Sequence, residues 1–234
     1  GNGMLTEESI NELEKKIEYC FREKALLKQA LTHSSFVNEQ RIKKLPDYER
    51  LEFLGDAVLE LTTSDFLFRR FPDVREGELT KRRASIVCGS SLAQCAENIS
   101  LGEYILMGRG EESTGGRHKE NMISDVMEAV IGAIYLDGGF EKAVAFIQRF
   151  VLSDFEEKRL FYDSKTLLQE YVQKEKGAVL DYVLVNEYGP DHSREFVVEA
   201  RVNGNTVGKG IGKTKKGAEQ QAAYEALLAA KVKE

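Results

Sequence analysis

Glu49, Glu52 and Asp56 stand at i, i+3 and i+7 in the segment Glu49-Arg50-Leu51-Glu52-Phe53-Leu54-Gly55-Asp56-Ala57-Val58-Leu59. At about 100° per residue, a helix gathers them within roughly 60° of one another on one face. None of the three has a Lys or Arg four residues later to neutralise it. A second pair, Asp125 and Glu128, lies at i and i+3 in the apolar stretch Ile123 to Leu136, and Glu76 and Glu78 follow Pro72. Like charges so spaced cost a few tenths of a kcal/mol per pair in water and more when desolvated. Carboxylate oxygens without His or Cys suit hard cations such as Mg²⁺ or Mn²⁺. Two facing acidic stripes bridged by such ions would relieve the repulsion and form a site able to activate water and stabilise a phosphoryl transition state. The plain alternative is that these are solvated faces of amphipathic helices. It fits any one carboxylate well, and fits two stripes on two largely apolar helices less well.

The elements that must carry these groups are helical. From 5 to 158, apolar positions recur at three- and four-residue spacing: Leu26, Leu27, Ala30 and Leu31; Leu51, Leu54, Val58 and Leu61; Val126, Val130, Ile131 and Ile134. Pro46 precedes the expected long helix and Pro72 follows it; Asp137-Gly138-Gly139 ends another. Gly108-Arg109-Gly110 and Ser113 to Gly116 mark an expected mobile loop, for which a phosphate cradle is the weaker reading. The pattern changes near Asp163. Ser164 is expected to cap a helix running to about Lys176. Alternating or β-branched segments follow at Leu180 to Glu187, Glu195 to Val202 and Thr206 to Gly210, with Asn203-Gly204 suited to a hairpin. An Ala-rich helix from about Lys215 to Ala230 closes an α-β-β-β-α module. The expected fold is mainly α: an all-helical domain over 4–158, a linker at 159–163, and a small α+β domain over 164–234. Gly1 to Gly3 read as a cloning scar ahead of a native Met4.

Composition narrows the chemistry. Three cysteines (Cys20, Cys88, Cys95) without a C-x-x-C pair argue against a disulfide framework or zinc site, and are expected as buried small apolar side chains. His33, His118 and His192 are too scattered for a histidine-based metal cluster. No run reaches the roughly 20 apolar residues of a membrane span, and the N-terminal stretch lacks the plan of a secretory signal, so no membrane partner and a cytoplasmic location are expected. Net charge is −6, but residues 163–234 carry 11 basic and 11 acidic groups, leaving 22 against 28 in the first 162. The acidic half would repel a polyanion unless its carboxylates were neutralised.

Glu49 to Leu59 resembles, nearly letter for letter, the signature of the ribonuclease III family, E-R-L-E-F-L-G-D-[AS]-[VI]-L. Thr32-His33-Ser34-Ser35, Glu76-Gly77-Glu78-Leu79-Thr80, the loop Gly108 to Arg117, and Asp125 to Ala133 resemble the family's other landmarks, in its order. The resemblance implies an all-helical endonuclease domain that cuts both strands of duplex RNA, leaving 5′-phosphate and 3′-hydroxyl ends with a short 3′ overhang. Ribosomal, messenger and other structured precursors are its implied substrates. It implies that Glu52, Asp56, Asp125 and Glu128 hold Mg²⁺, with Mn²⁺ able to substitute, and that Asp56 and Glu128 are most tied to turnover. Glu49 and Glu76 match positions of substrate engagement or site organisation. A homodimer is implied, with Phe53 inserting into the partner; from sequence alone Phe53 reads equally well as a core aromatic.

In the tail, Lys209, Lys213, Lys215 and Lys216 cluster where the last strand meets the final helix, whose N-terminal N–H groups favour phosphate. A solvated lysine patch is the plain alternative. Gly208 to Ala223 resembles the closing motif of double-stranded-RNA-binding domains, and Lys165 to Glu170 their opening helix. That resemblance implies that Thr166, Gln169, Glu170 and Gln173 reach 2′-hydroxyls and base edges, His192 enters the next minor groove, and Lys213, Lys215 and Lys216 hold phosphates. Two other functions remain: a non-catalytic RNA-binding or chaperone protein, and a helical metallohydrolase acting on nucleotides. The first would suit an uncharged residue at Asp56 or Glu128, and the second His-Asp pairs; neither feature is present.

Overall fold

The computed structural model describes residues 5–40, 45–153, 155, 161 and 163–233. The expected start at Met4 and most of the expected linker at 159–163 lie outside them. The chain divides into two compact units, Gly1–Ser153 and Asp154–Glu234.

The first unit is helical. Its elements are α1 (Glu7–Ile17), α2 (Lys24–Ala30), α3 (Ser34–Gln40), α4 (Glu49–Arg70), α5 (Glu76–Val87), α6 (Gly89–Asn98), α7 (Arg109–Ser113), α8 (Glu120–Gly138) and α9 (Phe140–Ile147). At its centre is α8, apolar on nearly every side: Val126, Met127, Ala129, Val130, Ile131, Ala133 and Ile134 are fully buried. Helices α2, α4, α6 and α9 pack around it. A helix apolar all round has nowhere to go but the middle of a bundle. Its C-terminal end is fixed by Asp137, whose carboxylate accepts from Tyr19 Oη at 2.5 Å and from the backbone N–H groups of Arg22 and Glu23 at 2.9 and 2.8 Å.

Helix α4 crosses α8 with backbone nearly touching backbone. A Cβ on Gly55 would lie 1.7 Å from the Glu128 carbonyl oxygen, and one on Gly132 would lie 2.3 Å from that of Leu51. Only glycine fits at either point. An interior helical glycine costs about 1 kcal/mol relative to alanine; here that loss permits an approach that no other residue allows. The buried face of α4 carries Leu51, Val58, Leu59 and Leu67. Leu61, expected in this stripe, is 60% exposed and belongs to an opposite apolar face with Phe53 (81%) and Phe68 (73%). Phe53 is therefore no core aromatic within its own chain. Helix α4 begins two residues after Asp47, whose side chain accepts from the Glu49 N–H at 3.0 Å, and stops at Arg70, ahead of Pro72.

Three other expectations need correction. Only Cys95 is buried, while Cys20 is exposed and Cys88 half-buried. Gly108 to Arg117 is not an irregular loop: it winds into α7 and a short 3₁₀ turn at Gly116–His118. Arg117 holds it, donating to Glu112 at 2.6 Å and to the carbonyls of Gly102 and Ile105 at 2.8 and 2.9 Å. The Ser164 hydroxyl caps nothing; it donates to the Gln220 carbonyl at 2.9 Å, from the first position of a helix that ends at Gln173 rather than Lys176.

The second unit runs α10 (Ser164–Gln173), β1 (Leu180–Tyr188), β2 (Glu195–Val202), β3 (Asn205–Gly212) and α11 (Lys215–Lys233). The three strands form an antiparallel sheet in the order β1-β2-β3. Asn203 and Gly204, both at positive φ (51° and 83°), make the β2–β3 turn, as the Asn-Gly pair predicts. Leu168, Val172, Val198, Ala200, Ala218, Ala222 and Leu227 form the core. Here too glycine meets backbone: a Cβ on Gly208 would sit 2.2 Å from the Ala222 carbonyl, and one on Gly210 2.2 Å from that of Ala218. Alanines on α11 complete the close contact.

Gly132→Ala is expected to destabilise the first unit by about 3 kcal/mol or more, the upper range for overpacking. Gly110→Ala, where an added Cβ meets nothing within 4 Å, is expected to change stability by less than about 0.5 kcal/mol. Urea unfolding of both variants checks this.

Candidate metal centre

The close crossing of α4 and α8 sets two acidic pairs against each other. Carboxylate oxygens of Glu52, Asp125 and Glu128 all lie within 4.8 Å of one another, each residue half-buried. Asp56 stands one turn further along α4, exposed, and its side chain is hydrogen-bonded to Glu128. Glu49 is exposed at the start of α4 and adds negative potential at Glu52. Glu76 is exposed at the start of α5, outside the converged group. Of the four expected metal ligands, three thus converge closely and the fourth touches the third.

The electrostatics are those of crowded like charges. Burial, followed by the charges of Asp56, Glu52 and Asp125, pushes the Glu128 carboxyl up to about 9. Glu52 is raised to about 7 by burial and by Asp125 beside it. Asp125 is raised too, by burial, offset by a hydrogen bond from Glu52. The crowding thus favours the protonated forms of Glu52, beside Asp125, and of Glu128, beside Asp56.

This donor set fits a hard divalent cation. It is all oxygen, with no thiolate or imidazole among the converged atoms. Carboxylate oxygens already within 4.8 Å of one another could be drawn onto one shared divalent cation by side-chain movement alone.

Sequence reasoning missed the parts that build the site without ligating. Gly55 and Gly132 set the helix spacing, and their signal was a glycine interrupting an apolar helical pattern. Tyr48, buried just before α4, has its hydroxyl raised by burial and by Asp125, Glu52, Glu49 and Asp47. His33 packs on Tyr48 with ring centroids 5.7 Å apart. Its segment is pinned beside the site by His33 N–H to Leu106 O at 2.9 Å and Tyr48 N–H to Thr32 O at 2.9 Å.

In the second unit, Thr166, Gln169, Glu170 and Gln173 are all exposed along α10, and His192 is exposed in the short turn Asp191–Ser193. Lys213, Lys215 and Lys216 are exposed at the start of α11, where Thr214 Oγ accepts from the Gly217 N–H at 2.9 Å. The first turns of α10 and α11 are tied together by Lys165–Glu219 at 2.6 Å. Lys165 is thereby engaged within the unit, and its ammonium lies over the Tyr182 ring.

Residues 23–155 match the family described as Ribonuclease-III-like, and residues 164–229 match the double-stranded RNA binding motif. Among curated relatives, Ribonuclease 3 of Listeria monocytogenes is 47% identical, covering 92% of this chain and 95% of its own length. That of Shouchella clausii is 48% identical over 98% of this chain and 90% of its own. Among solved structures, the nuclease domain of ribonuclease III from Campylobacter jejuni, described with structural flexibility in a region involved in dimer formation, superposes with a TM-score of 0.58 at 44% identity. It covers 63% of this chain and 99% of that domain.

Because Glu52 and Glu128 titrate above the ordinary 4.5 in the folded chain, the folded state binds more protons than the unfolded state above about pH 4.5. Metal-free stability is therefore expected to fall as pH rises through about 7 and on toward 9. Glu128→Gln removes the upper part of that fall. Urea titrations in chelator at several pH values measure it; a flat profile in the wild type contradicts the assignment.

Proposed function

The chain belongs to the ribonuclease III family, and on that premise we propose how its own residues cut duplex RNA. The activity is that of a double-strand-specific endoribonuclease using a divalent metal. The observation that carries the site assignment is the convergence of Glu52, Asp125 and Glu128 in one half-buried cluster. Residues 4–158 carry cleavage, 164–234 carry duplex binding, and 159–163 join them.

Glu52, Asp125 and Glu128 hold the cation, Mg²⁺ or Mn²⁺, with Asp56 at the edge of the cluster. When bound, the cation supplies Lewis-acid stabilisation of the charge that builds on a phosphodiester under attack. Glu52 and Glu128 must give up their protons before their oxygens can ligate, so binding is coupled to proton release. Asp56, bonded to Glu128, orients that carboxylate and accepts from it while it is protonated. Glu49 and Glu76 extend the acidic face and help to organise substrate around it. The products are 5′-phosphate and 3′-hydroxyl ends with a short 3′ overhang, and the substrates are structured precursors, ribosomal ones among them.

Duplex binding falls to the second unit. Thr166, Gln169, Glu170 and Gln173 present hydroxyl, amide and carboxylate groups to a shallow minor groove, and His192 to the next. Lys213, Lys215 and Lys216 meet the phosphates between, helped by the positive end of α11. A net-neutral unit can do this because only one face need be basic.

The chain works as a homodimer. Phe53, Leu61 and Phe68 form an exposed apolar face on α4, the kind of surface that a partner covers. A second copy, with Phe53 inserted, covers it and sets two sites against one duplex. No helix among the described residues is long and apolar enough to cross a membrane, and the proposed place of action is the cytoplasm.

A labelled RNA duplex is expected to be cut at discrete positions only when Mg²⁺ or Mn²⁺ is supplied; an intact duplex at every metal concentration overturns the enzyme reading. Glu128→Gln and Asp56→Asn are expected to lower turnover by more than the roughly 100-fold that loss of an outer-shell partner costs, while leaving duplex binding intact in gel-shift assays. Lys215→Ala with Lys216→Ala is expected to weaken binding to all duplexes alike and to reduce the slope of log affinity against log salt by about 2.

A further inference from the structure

Thr32-His33-Ser34-Ser35 and the segment from Gly108 to Arg117 contribute no carboxylate to the converged cluster, yet they meet beside it at one point. The Gly108 N–H donates to Ser35 Oγ at 2.9 Å. Ser35 Oγ lies 2.7 Å from His33 Nδ1, and the Ser35 backbone N–H donates to that same nitrogen at 3.1 Å. A backbone amide can only donate. His33 Nδ1 must therefore be an unprotonated acceptor, with the Ser35 hydroxyl as its second donor, and the ring proton sits on Nε2. His33 and Asp125 line the same cavity of about 510 Å³, together with Tyr48, Glu111, Lys119 and Asn121. Lys119, the cation of that cavity, is paired with Glu111 at 3.1 Å.

We propose that His33 is a positioning residue for the metal centre: its Nε2–H, which shares a cavity with Asp125 but is not hydrogen-bonded to it in the metal-free chain, takes up the outer oxygen of Asp125 when a cation draws the other oxygen toward Glu52 and Glu128. The inference rests on the metal-site reading above. Metal-bound carboxylates are commonly hydrogen-bonded by such outer groups, and removing one costs 10–100-fold in affinity or activity. The chain Gly108 N–H, Ser35 O–H, His33 makes the position of α7 felt at Asp125. It also accounts for the staple that fixes His33 from behind, His33 N–H to Leu106 O and Leu106 N–H to Leu31 O at 2.8 Å.

Two amide side chains separate the ring's nitrogens. His33→Asn keeps an acceptor where Nδ1 lies and removes the distal donor; His33→Gln offers an N–H near the position of Nε2. Mn²⁺ binding to the full chain, followed by the loss of the free-ion paramagnetic signal, reads the site without catalysis. His33→Asn is expected to bind Mn²⁺ at least about tenfold more weakly than wild type, and His33→Gln within about threefold of it. The metal-free unfolding midpoint and the duplex affinity in chelator are expected to hold in both. In an Asp125→Asn background, His33→Asn is expected to change Mn²⁺ affinity no further. Should His33→Asn fail to fold, His33→Phe, which keeps a ring against Tyr48 and lacks both nitrogens, takes its place with the same expected loss. Unchanged Mn²⁺ affinity in the donor-free variant overturns the proposal, as does a loss in His33→Gln as large as in His33→Asn. A raised KM for duplex at unchanged Mn²⁺ affinity overturns it as well, by assigning His33 to substrate. No saturable Mn²⁺ binding in the wild type sinks the metal-site reading itself.

Discussion

The backbone contact between Gly55 and Gly132 is the constraint on which the first unit turns. Helices that meet through side chains stand 8–10 Å apart; these meet with the main chain of one against the glycine of the other. That approach brings Glu52 and Asp56 within reach of Asp125 and Glu128. With an alanine at either glycine the helices would have to part, and the carboxylates with them. The glycines bind no ion, and the ligands cannot converge without them.

What the crossing achieves chemically is also a burden on stability. Four carboxylates are crowded at the edge of an apolar bundle, and that crowding pushes Glu52 and Glu128 toward their protonated forms. The fold therefore opposes the crowding of these carboxylates, and a divalent ion bound there would replace that opposition with coordination. This is the pattern expected where function and stability oppose each other locally. The surrounding scaffold compensates with ordinary packing: a central apolar α8, its end tied by Asp137, and the staple through Leu106. The second unit repeats the structural device for another end, since Gly208 and Gly210 let β3 lie directly on the alanine face of α11. That contact fixes α11, whose first turn carries Lys215 and Lys216.

Much of this was legible from residue types and spacing. The i, i+3, i+7 acids of α4, the pair on α8, the change from helical to alternating pattern near Asp163 and the Asn203-Gly204 hairpin are all period or turn signals, and they survive folding because they are local. What was not legible depends on contact between distant segments. Leu61 and Phe53 share the apolar character of Leu51 and Val58, and only the direction of α8 decides which side of α4 is buried. Ser164 has the chemistry of a helix cap, yet the carbonyl of Gln220, 56 residues on, takes its hydroxyl. Gly108 to Arg117 reads as loose because glycine loosens a chain, whereas Arg117 ties it down through carbonyls that no pattern predicts. His33 was visible only as part of a motif; its tautomer and its neighbour Asp125 follow from the fold.

Crystals of the full chain soaked in Mn²⁺ and measured at an anomalous edge test the central claim most directly. The account predicts a peak bounded by the carboxylate oxygens of Glu52, Asp125 and Glu128 at about 2.2 Å, with Gly55 and Gly132 still in backbone contact beneath it. A peak held by other residues, or those three carboxylates turned apart with the ion elsewhere, would contradict it.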